Sequence, residues 1–299
     1  MDAKNESILL RSGASCAEIS LVGAELRRWS CAGRDLLWEP DPAVWPAVAP
    51  LLFPIVGWAR EGKIRVGGET LRMGVHGFAA QELFAPGARG EDFATLRLDD
   101  NPHTRAQYPF GFRLAMTYRL GRSSLAVSAV VRNRGADVMP YAFGLHPGFR
   151  WPLDGSRRED HSVTFERAEE ASVPEIAPSG LFSDRRRAVP LSGRTLALDD
   201  ELVRAEALCF LDAGSRRVHF HSGAGSRLTV ETEGFRHWAL WSRPPAPYLC
   251  VEAWTGHGDP VGFDGELIEK PSMILLAPGQ TRVHRVVFSF SGLSEPDGP

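Results

Sequence analysis

Apolar and polar residues alternate along most of the chain, and this pattern predicts β-strands. From Phe112 to Leu120 the large apolar side chains occupy every second position, as a half-buried strand requires. The alternation resumes from Leu125 to Val131 after a polar turn, which predicts a hairpin. A second hairpin is predicted at Gly67 and Gly68, because two glycines supply the positive φ angles of a tight turn.

Short strand-like segments recur elsewhere, whereas helical periodicity is weak. The further predicted strands are Ala17 to Val22, Phe93 to Leu98, Ser162 to Glu166, Arg216 to His221, Arg227 to Glu231, Trp238 to Ser242, Tyr248 to Trp254 and Val283 to Phe290. The 30 glycines and 22 prolines disfavour long helices. Many short strands between turns favour an all-β sandwich or barrel. The proline-containing and arginine-rich stretch from Glu169 to Arg194 is predicted to be a long loop or insertion.

Composition narrows the class of protein and its partners. With 43% hydrophobic and 24% charged residues, the 299-residue chain is typical of a globular protein, and we expect a single domain over residues 1–299. A net charge of -3 gives no field that would attract nucleic acid, so a neutral small molecule is the expected partner. The sequence leaves both a monomer and a homodimer open.

No membrane or export signal is recognisable in the sequence. The apolar stretch from Ala43 to Val56 is short and interrupted by prolines, so we expect no membrane association. The N-terminus carries acidic residues where a signal peptide needs a basic start, so a cytoplasmic location is expected. The cysteines show no C-x-x-C pairing, and we expect free, buried thiols at Cys16, Cys31, Cys209 and Cys250.

Four segments combine polar residues with an apolar, glycine-bounded context. Arg60 ends the strand-like segment that begins at Leu52, and its guanidinium could donate to sugar hydroxyls or form a surface ion pair. His76 and His146 each lie in a glycine-bounded turn, where a structural role is the common alternative to catalysis. Glu252 lies within an apolar strand.

The spacing around Glu252 predicts a partly desolvated carboxyl group. Cys250, Glu252 and Trp254 share one face of a strand because they are two residues apart. Desolvation raises the pKa of a carboxyl group toward the range that suits a general base. A buried glutamate can equally be the partner in a structural ion pair.

Read together, segments spread over nearly the whole chain resemble a known enzyme family. They are Gly23-Ala24-Glu25-Leu26, Leu37-Trp38, Trp45, Phe53-Pro54-Ile55-Val56-Gly57, His76-Gly77-Phe78, His146-Pro147, Glu252-Ala253-Trp254 and Ala277-Pro278-Gly279-Gln280-Thr281. In this order they resemble the aldose 1-epimerase, or galactose mutarotase, family and most closely its LacX-like bacterial branch. Ala253 departs from the family pattern, in which a proline commonly follows the catalytic base.

The resemblance implies a large antiparallel β-sandwich with a sugar-binding cleft on one sheet. It also implies that the protein interconverts the α and β anomers of a free aldose. Glu252 matches the family's general base and His146 its general acid. His76 and Arg60 match residues that hold the sugar. This chemistry needs no cofactor and no metal.

Glu206 is a further candidate that the resemblance implies. The family places an acidic residue, usually aspartate, in a strand that the segment from Ala205 to Phe210 resembles. Glu206 occupies the acidic position, with a side chain one methylene longer.

Three alternatives remain open from the sequence. Two histidines with a carboxylate could bind a metal, and His219 with His221 share a strand face, although no third ligand is evident. The chain could instead be a carbohydrate-binding or regulatory sandwich without turnover. It could also be a mutarotase for a hexose phosphate, if Arg185-Arg186-Arg187 folds over the cleft.

Overall fold

The computed structural model describes residues 6–292 and consists mainly of β-strands. The described part contains 26 strands and two short α-helices. The strands are β1 Ser7–Ser12, β2 Ser15–Ser20, β3 Leu26–Cys31, β4 Arg34–Asp35, β5 Leu51–Leu52, β6 Lys63–Val66, β7 Glu69–Arg72, β8 Ala85–Arg89, β9 Phe93–Asp99, β10 Phe112–Leu120, β11 Ser124–Asn133, β12 Met139–Tyr141, β13 Gly144–Leu145, β14 Gly148–Arg150, β15 Ser162–Phe165, β16 Ser172–Ile176, β17 Phe182–Ala188, β18 Leu191–Ser192, β19 Thr195–Ala197, β20 Leu208–Phe210, β21 Arg217–His221, β22 Arg227–Glu233, β23 His237–Trp241, β24 Tyr248–Trp254, β25 Ile274–Leu276 and β26 Thr281–Ser291. The helices are α1 Pro102–Gln107 and α2 Asp200–Arg204.

Two large antiparallel sheets pack face to face. One has ten strands in the order β18-β19-β15-β21-β22-β26-β11-β10-β9-β8. The other has six, in the order β20-β23-β24-β13-β5, with β14 also paired to β24. Aromatic pairs bridge the sheets, with ring centroids 5.5 Å apart for Phe149 and Phe288 and 4.7 Å apart for Phe165 and Phe210. This architecture confirms the predicted all-β sandwich.

The predicted hairpins form as the alternation of residues requires. Strands β10 and β11 pair along their length, with Leu120 opposite Leu125 at the turn. Strands β6 and β7 meet at Gly67 and Gly68, whose φ angles are 60° and 82°. Burial alternates along β10, so its apolar face lies in the core. Local sequence pattern therefore determines these elements, because the side chains of a strand point alternately to its two faces.

The loop prediction for residues 169–194 is wrong in part. Strands β16 and β17 form a hairpin within this stretch, and β18 begins the ten-stranded sheet. Phe182 packs with Cys209 and Trp254 on one face of the six-stranded sheet. The hairpin is thereby stabilised by burial of an apolar side chain against a remote part of the chain. That contact is not visible in the local sequence pattern.

The strand-like interpretation of Leu52 to Arg60 is also wrong beyond its first residue. Only Leu51–Leu52 pairs as a strand, against β13. Residues 53–56 are buried but irregular, because Pro54 has no N–H to donate and Gly57 takes a φ of 75°. The segment turns away from the sheet before it reaches Arg60.

The four cysteines are free thiols, and Cys31, Cys209 and Cys250 are buried as expected, whereas Cys16 is only half-buried. Among residues 6–292, neither helix has the length and apolar character needed to cross a membrane.

Strand β24 lies at the centre of the six-stranded sheet and is buried over its whole length. On one side it pairs with β23, and on the other it pairs with both β13 and β14. Leu145 lies opposite Ala253, and Gly148 lies opposite Cys250. The gap between β13 and β14 consists of His146 and Pro147. The register against β24 is the same on both sides of this gap.

Candidate active site

His146 faces Glu252 across the gap between β13 and β14. The unbroken register puts these two residues opposite each other, and opposite residues on antiparallel strands extend from the same face of a sheet. His146 Nε2 lies 3.4 Å from Glu252 Oε1. Both side chains are at least nine-tenths buried, with 9% and 1% of their surface exposed. A potential acid and a potential base are thus in direct contact in a site that excludes most water.

Glu252 has no buried Lys or Arg partner among its contacts in the described chain. Its Oε2 accepts a 2.9 Å hydrogen bond from Nε1 of Trp254, two residues further along the same strand face. Burial raises the pKa of the Glu252 carboxyl group well above its usual range, and the Trp254 hydrogen bond partly opposes this shift. The residue thus differs from a structural ion-pair glutamate, which a cation would keep ionised.

Aromatic rings surround the His146 imidazole. The centroids of Trp45 and Trp241 lie 5.1 and 5.5 Å from it, and that of His76 lies 5.6 Å away. Burial, and then the proximity of His76, lower the pKa of His146 well below its usual range. Within residues 6–292, His146 Nδ1 is buried without a hydrogen-bond partner. The ring is therefore positioned by packing and can present a nitrogen to a ligand.

His76 is held in a strained turn beside His146. Its φ is 64°, a left-handed conformation that is uncommon for a residue with a side chain. Gly77 follows with a φ of 77°, and a Cβ there would lie 2.3 Å from the carbonyl oxygen of Phe53. The turn therefore requires glycine at position 77, and it fixes the direction of the His76 side chain.

The backbone of Gly57 determines which ring nitrogen of His76 carries the proton. The backbone N–H of Gly57 donates to His76 Nδ1 at 3.0 Å, so this ring nitrogen is an acceptor. The backbone N–H of His76 donates in return to the Gly57 carbonyl at 2.9 Å. Surrounding protein lowers the pKa of His76 to about 4, although part of the side chain reaches solvent. At neutral pH the ring is uncharged, and its proton resides on Nε2. That N–H is available as a donor to a ligand hydroxyl.

A family model for aldose 1-epimerase matches residues 6–289 of this chain. The chain belongs to the aldose 1-epimerase family. The plasmid-encoded protein LacX of Lactococcus lactis subsp. lactis is 30% identical over 260 residues, which cover 83% of this chain and 87% of LacX. The family resemblance inferred from the sequence is thus confirmed.

Solved structures with the same fold extend this comparison. The galactose mutarotase related enzyme of Lactobacillus acidophilus has a TM-score of 0.89 and 27% identity, covering 97% of this chain and 99% of that chain. The galactose 1-epimerase of Lactobacillus acidophilus NCFM has a TM-score of 0.72 and 16% identity, covering 95% and 94% of the two chains. At 16% identity the latter comparison supports the fold alone.

In this member of the aldose 1-epimerase family, the Arg60 guanidinium contacts the segment that carries Phe263 rather than the histidines or Glu252. The guanidinium is exposed and donates to the carbonyl oxygen of Phe263 at 3.5 Å. It lines an open cavity of about 280 Å³, and His76, His146 and Glu252 are absent from the lining. The structure therefore brings together three of the five site residues predicted from the sequence.

Glu206 is exposed and precedes the strand in which it was expected. Strand β20 begins at Leu208, and Glu206 lies in the bend between α2 and that strand. Partial burial raises the pKa of its carboxyl group, whereas the nearby Arg187 guanidinium lowers it. Glu206 thus lies at the margin of the same sheet, close to Cys209. Burial and then the Glu252 carboxyl group raise the pKa of the Cys209 thiol, Arg187 lowers it, and Glu206 makes a smaller contribution that raises it.

The arginine run in β17 is largely neutralised. Arg185 pairs with Glu175 at 3.0 Å, and Arg186 pairs with Glu170 at 2.8 Å. Arg187 donates instead to the backbone carbonyl of Glu206. The run therefore presents one arginine, rather than three, to the margin of the six-stranded sheet.

Sequence reasoning missed the packing around His146 and the proximity of Cys250 to it. Trp45 and Trp241 contact His146 from a loop and from a neighbouring strand, and no local pattern connects them with it. Cys250, His146 and Glu252 hold donor atoms within 4.8 Å of one another. The sequence pattern predicted that Cys250 and Glu252 share a strand face. It did not predict that His146 lies opposite them on a neighbouring strand.

A buried ion pair anchors the segment that carries Arg60. Lys270 Nζ lies 2.7 Å from Asp259 Oδ1, with 1% and 7% of the two side chains exposed. The other oxygen of Asp259 accepts from the Arg60 backbone N–H at 2.9 Å. Two distant loops are thereby joined at the site margin.

Lys270→Met is expected to lower the free energy of unfolding by about 3–5 kcal/mol, because it leaves the buried Asp259 carboxylate without its cation. Lys63→Met is the matched control, since Lys63 forms an exposed ion pair with Glu61, and it should cost less than about 1 kcal/mol. Urea unfolding at neutral pH measures both changes. Equal stability of the two variants would contradict the structural role of the Lys270 pair.

Proposed function

We propose that this protein is an aldose 1-epimerase that interconverts the α and β anomers of a free aldose. The observation that carries the proposal is the 3.4 Å contact between His146 and Glu252, both buried and on one sheet face. The anomeric hydroxyl and the ring oxygen are both bonded to C1 of the sugar. An adjacent acid and base can therefore reach both oxygens at once.

The proposed reaction transfers two protons and needs no cofactor. The Glu252 carboxylate removes the proton of the O1 hydroxyl, while His146 donates a proton to the ring oxygen, and the bond between C1 and the ring oxygen breaks. Rotation about the C1–C2 bond turns the other face of the aldehyde toward the ring oxygen. Reversal of both proton transfers then closes the ring as the other anomer. Each positioned acid or base contributes roughly 10² to 10⁴ in rate.

The two groups are best treated as a pair that shares one proton. Burial raises the pKa of Glu252 and lowers that of His146, so the resting proton resides on the carboxyl group. The productive form has the same proton count, with the proton on His146 and a negative charge on Glu252. Because the two forms carry the same number of protons, their populations change in parallel with pH. The plot of rate against pH should therefore be bell-shaped, and its two apparent pKa values describe the pair rather than either residue alone.

Saturation-transfer NMR on equilibrated aldoses tests the proposed function directly, because it measures exchange between anomers. Faster exchange for at least one free aldose supports the proposal. Exchange only for hexose phosphates would indicate the phosphorylated class of substrate. Saturable binding without any exchange would indicate a carbohydrate-binding protein.

Glu252→Gln is expected to retain the fold and the affinity for sugar but to lower the exchange rate by roughly 10² or more, since an amide cannot accept the O1 proton. The sugar affinity is measured by calorimetric titration, and circular dichroism checks the fold. A variant that exchanges anomers at the original rate would exclude Glu252 as the base.

Trp254→Phe is expected to shift the basic limb of the pH–rate profile to higher pH, because that limb reports loss of the pair's single proton, which resides on Glu252 at rest. The indole N–H stabilises the Glu252 carboxylate, so its loss raises the pKa of that group and a higher pH is needed to ionise it. A hydrogen bond to a charged group contributes about 1.5–3 kcal/mol, which corresponds to a shift of about 1–2 pH units. Trp241→Phe is the control, because Trp241 packs on His146 and makes no such bond. An unshifted limb in Trp254→Phe would contradict this role.

Arg60 and Glu206 are proposed to contact the sugar away from its anomeric carbon, as the family resemblance implies. Arg60→Ala and Glu206→Gln should each weaken sugar binding in a calorimetric titration. Arg65→Ala is the control, since Arg65 lines the same cavity as Arg60 and has no proposed contact with the sugar. Unchanged affinity in Arg60→Ala or Glu206→Gln would remove that residue from the site.

A further inference from the structure

His146, Cys250 and Glu252 offer three different metal-ligating atoms at one point of the sheet. An imidazole nitrogen, a thiol sulfur and a carboxylate oxygen lie within 4.8 Å of one another, and all three residues are buried. Cys250 and Glu252 project from the same face of β24, and His146 meets them from the opposite strand. The proposed proton transfer uses His146 and Glu252 but gives the Cys250 thiol no part.

The distance between two of the three donors already matches that required by a tetrahedral cation. Zinc binds sulfur at about 2.3 Å and nitrogen or oxygen at about 2.0–2.2 Å, so its ligand atoms lie about 3.4–3.6 Å apart. The contact between His146 and Glu252 already measures 3.4 Å. Small side-chain rotations would bring the sulfur into the same sphere.

We propose that this cluster, His146, Cys250 and Glu252, binds a thiophilic divalent cation such as Zn²⁺ or Cd²⁺, and that the cation inhibits the protein. Thiolate and imidazole ligands favour such cations over Mg²⁺ or Ca²⁺. Binding displaces two protons to solvent, the thiol proton of Cys250 and the carboxyl proton of Glu252, and the cation then occupies the carboxylate and the imidazole that the reaction requires. Inhibition rests on the proposed function, whereas binding of the cation does not.

Cys209 offers a matched control within the same sheet. Like Cys250, it is fully buried, and it lies opposite Ala239 on β23, which in turn lies opposite Glu252. It is not part of the group of three ligating residues. The two cysteines are therefore equally buried and lie in the same sheet, but only Cys250 has its sulfur within 4.8 Å of the ligating atoms of both His146 and Glu252.

Titration of the full chain with Cd²⁺ tests the site, because a cadmium–thiolate bond gives an ultraviolet charge-transfer absorption. The expected result is saturable absorption with one cation per chain in the unmodified protein and in Cys209→Ser. Cys250→Ser should lose the absorption and weaken Cd²⁺ affinity at least tenfold. Absorption that persists in Cys250→Ser, or that vanishes in Cys209→Ser, would overturn the proposed site.

A second arm measures anomer exchange at increasing Zn²⁺ concentration. The unmodified protein and Cys209→Ser should be inhibited, and the ratio of rates with and without Zn²⁺ should return toward one in Cys250→Ser. Exchange that is unaffected while Cd²⁺ saturates the site would overturn the inhibitory role. If no sugar shows exchange, the proposed function fails, but the absorption titration still decides whether the cation binds here.

Discussion

The candidate site is built around one constraint: the carboxyl group of Glu252 is buried in the centre of a sheet and is in contact with His146. Strand β24 is buried from end to end, so Glu252 has lost nearly all of its water. Such burial is costly for an ionised group unless hydrogen bonds replace the lost solvation. Trp254 supplies one hydrogen bond, and His146 supplies a partner that can exchange a proton with the carboxyl group. The other features of the site hold these two groups in contact.

The surrounding structure provides this support through packing and backbone strain. Trp45 and Trp241 enclose His146, and the left-handed turn at His76 fixes a neutral imidazole beside it. A strained turn persists only where neighbouring structure determines it, and here the Gly57 backbone does so. Because Glu252 is almost completely covered, the proposed function requires covering side chains to move before a sugar can reach it. Small displacements near the site should therefore accompany binding.

Membership of the aldose 1-epimerase family is consistent with this geometry. The residues proposed to contact the rest of the sugar lie at the margin of the site. Arg60, Glu206 and Arg187 lie on segments outside the central strands. Loops and hairpins of this kind vary more readily than a packed sheet, so under the proposed function they would determine which sugar binds. The cation site proposed at Cys250 follows from the strand face that Cys250 shares with Glu252.

The sequence by itself determined the strands with clear alternation, such as β10 and β11, the two hairpins and the common face of Cys250, Glu252 and Trp254. These are local consequences of the alternation of side chains along a strand. It also indicated the family, through motifs spread along the chain. Only the tertiary structure decided that His146 lies in register with Glu252, that the hairpin β16–β17 packs on the sheet, and that the Arg60 guanidinium contacts the segment that carries Phe263. Those relations join residues far apart in the sequence, and they depend on strand register and packing that no local pattern encodes.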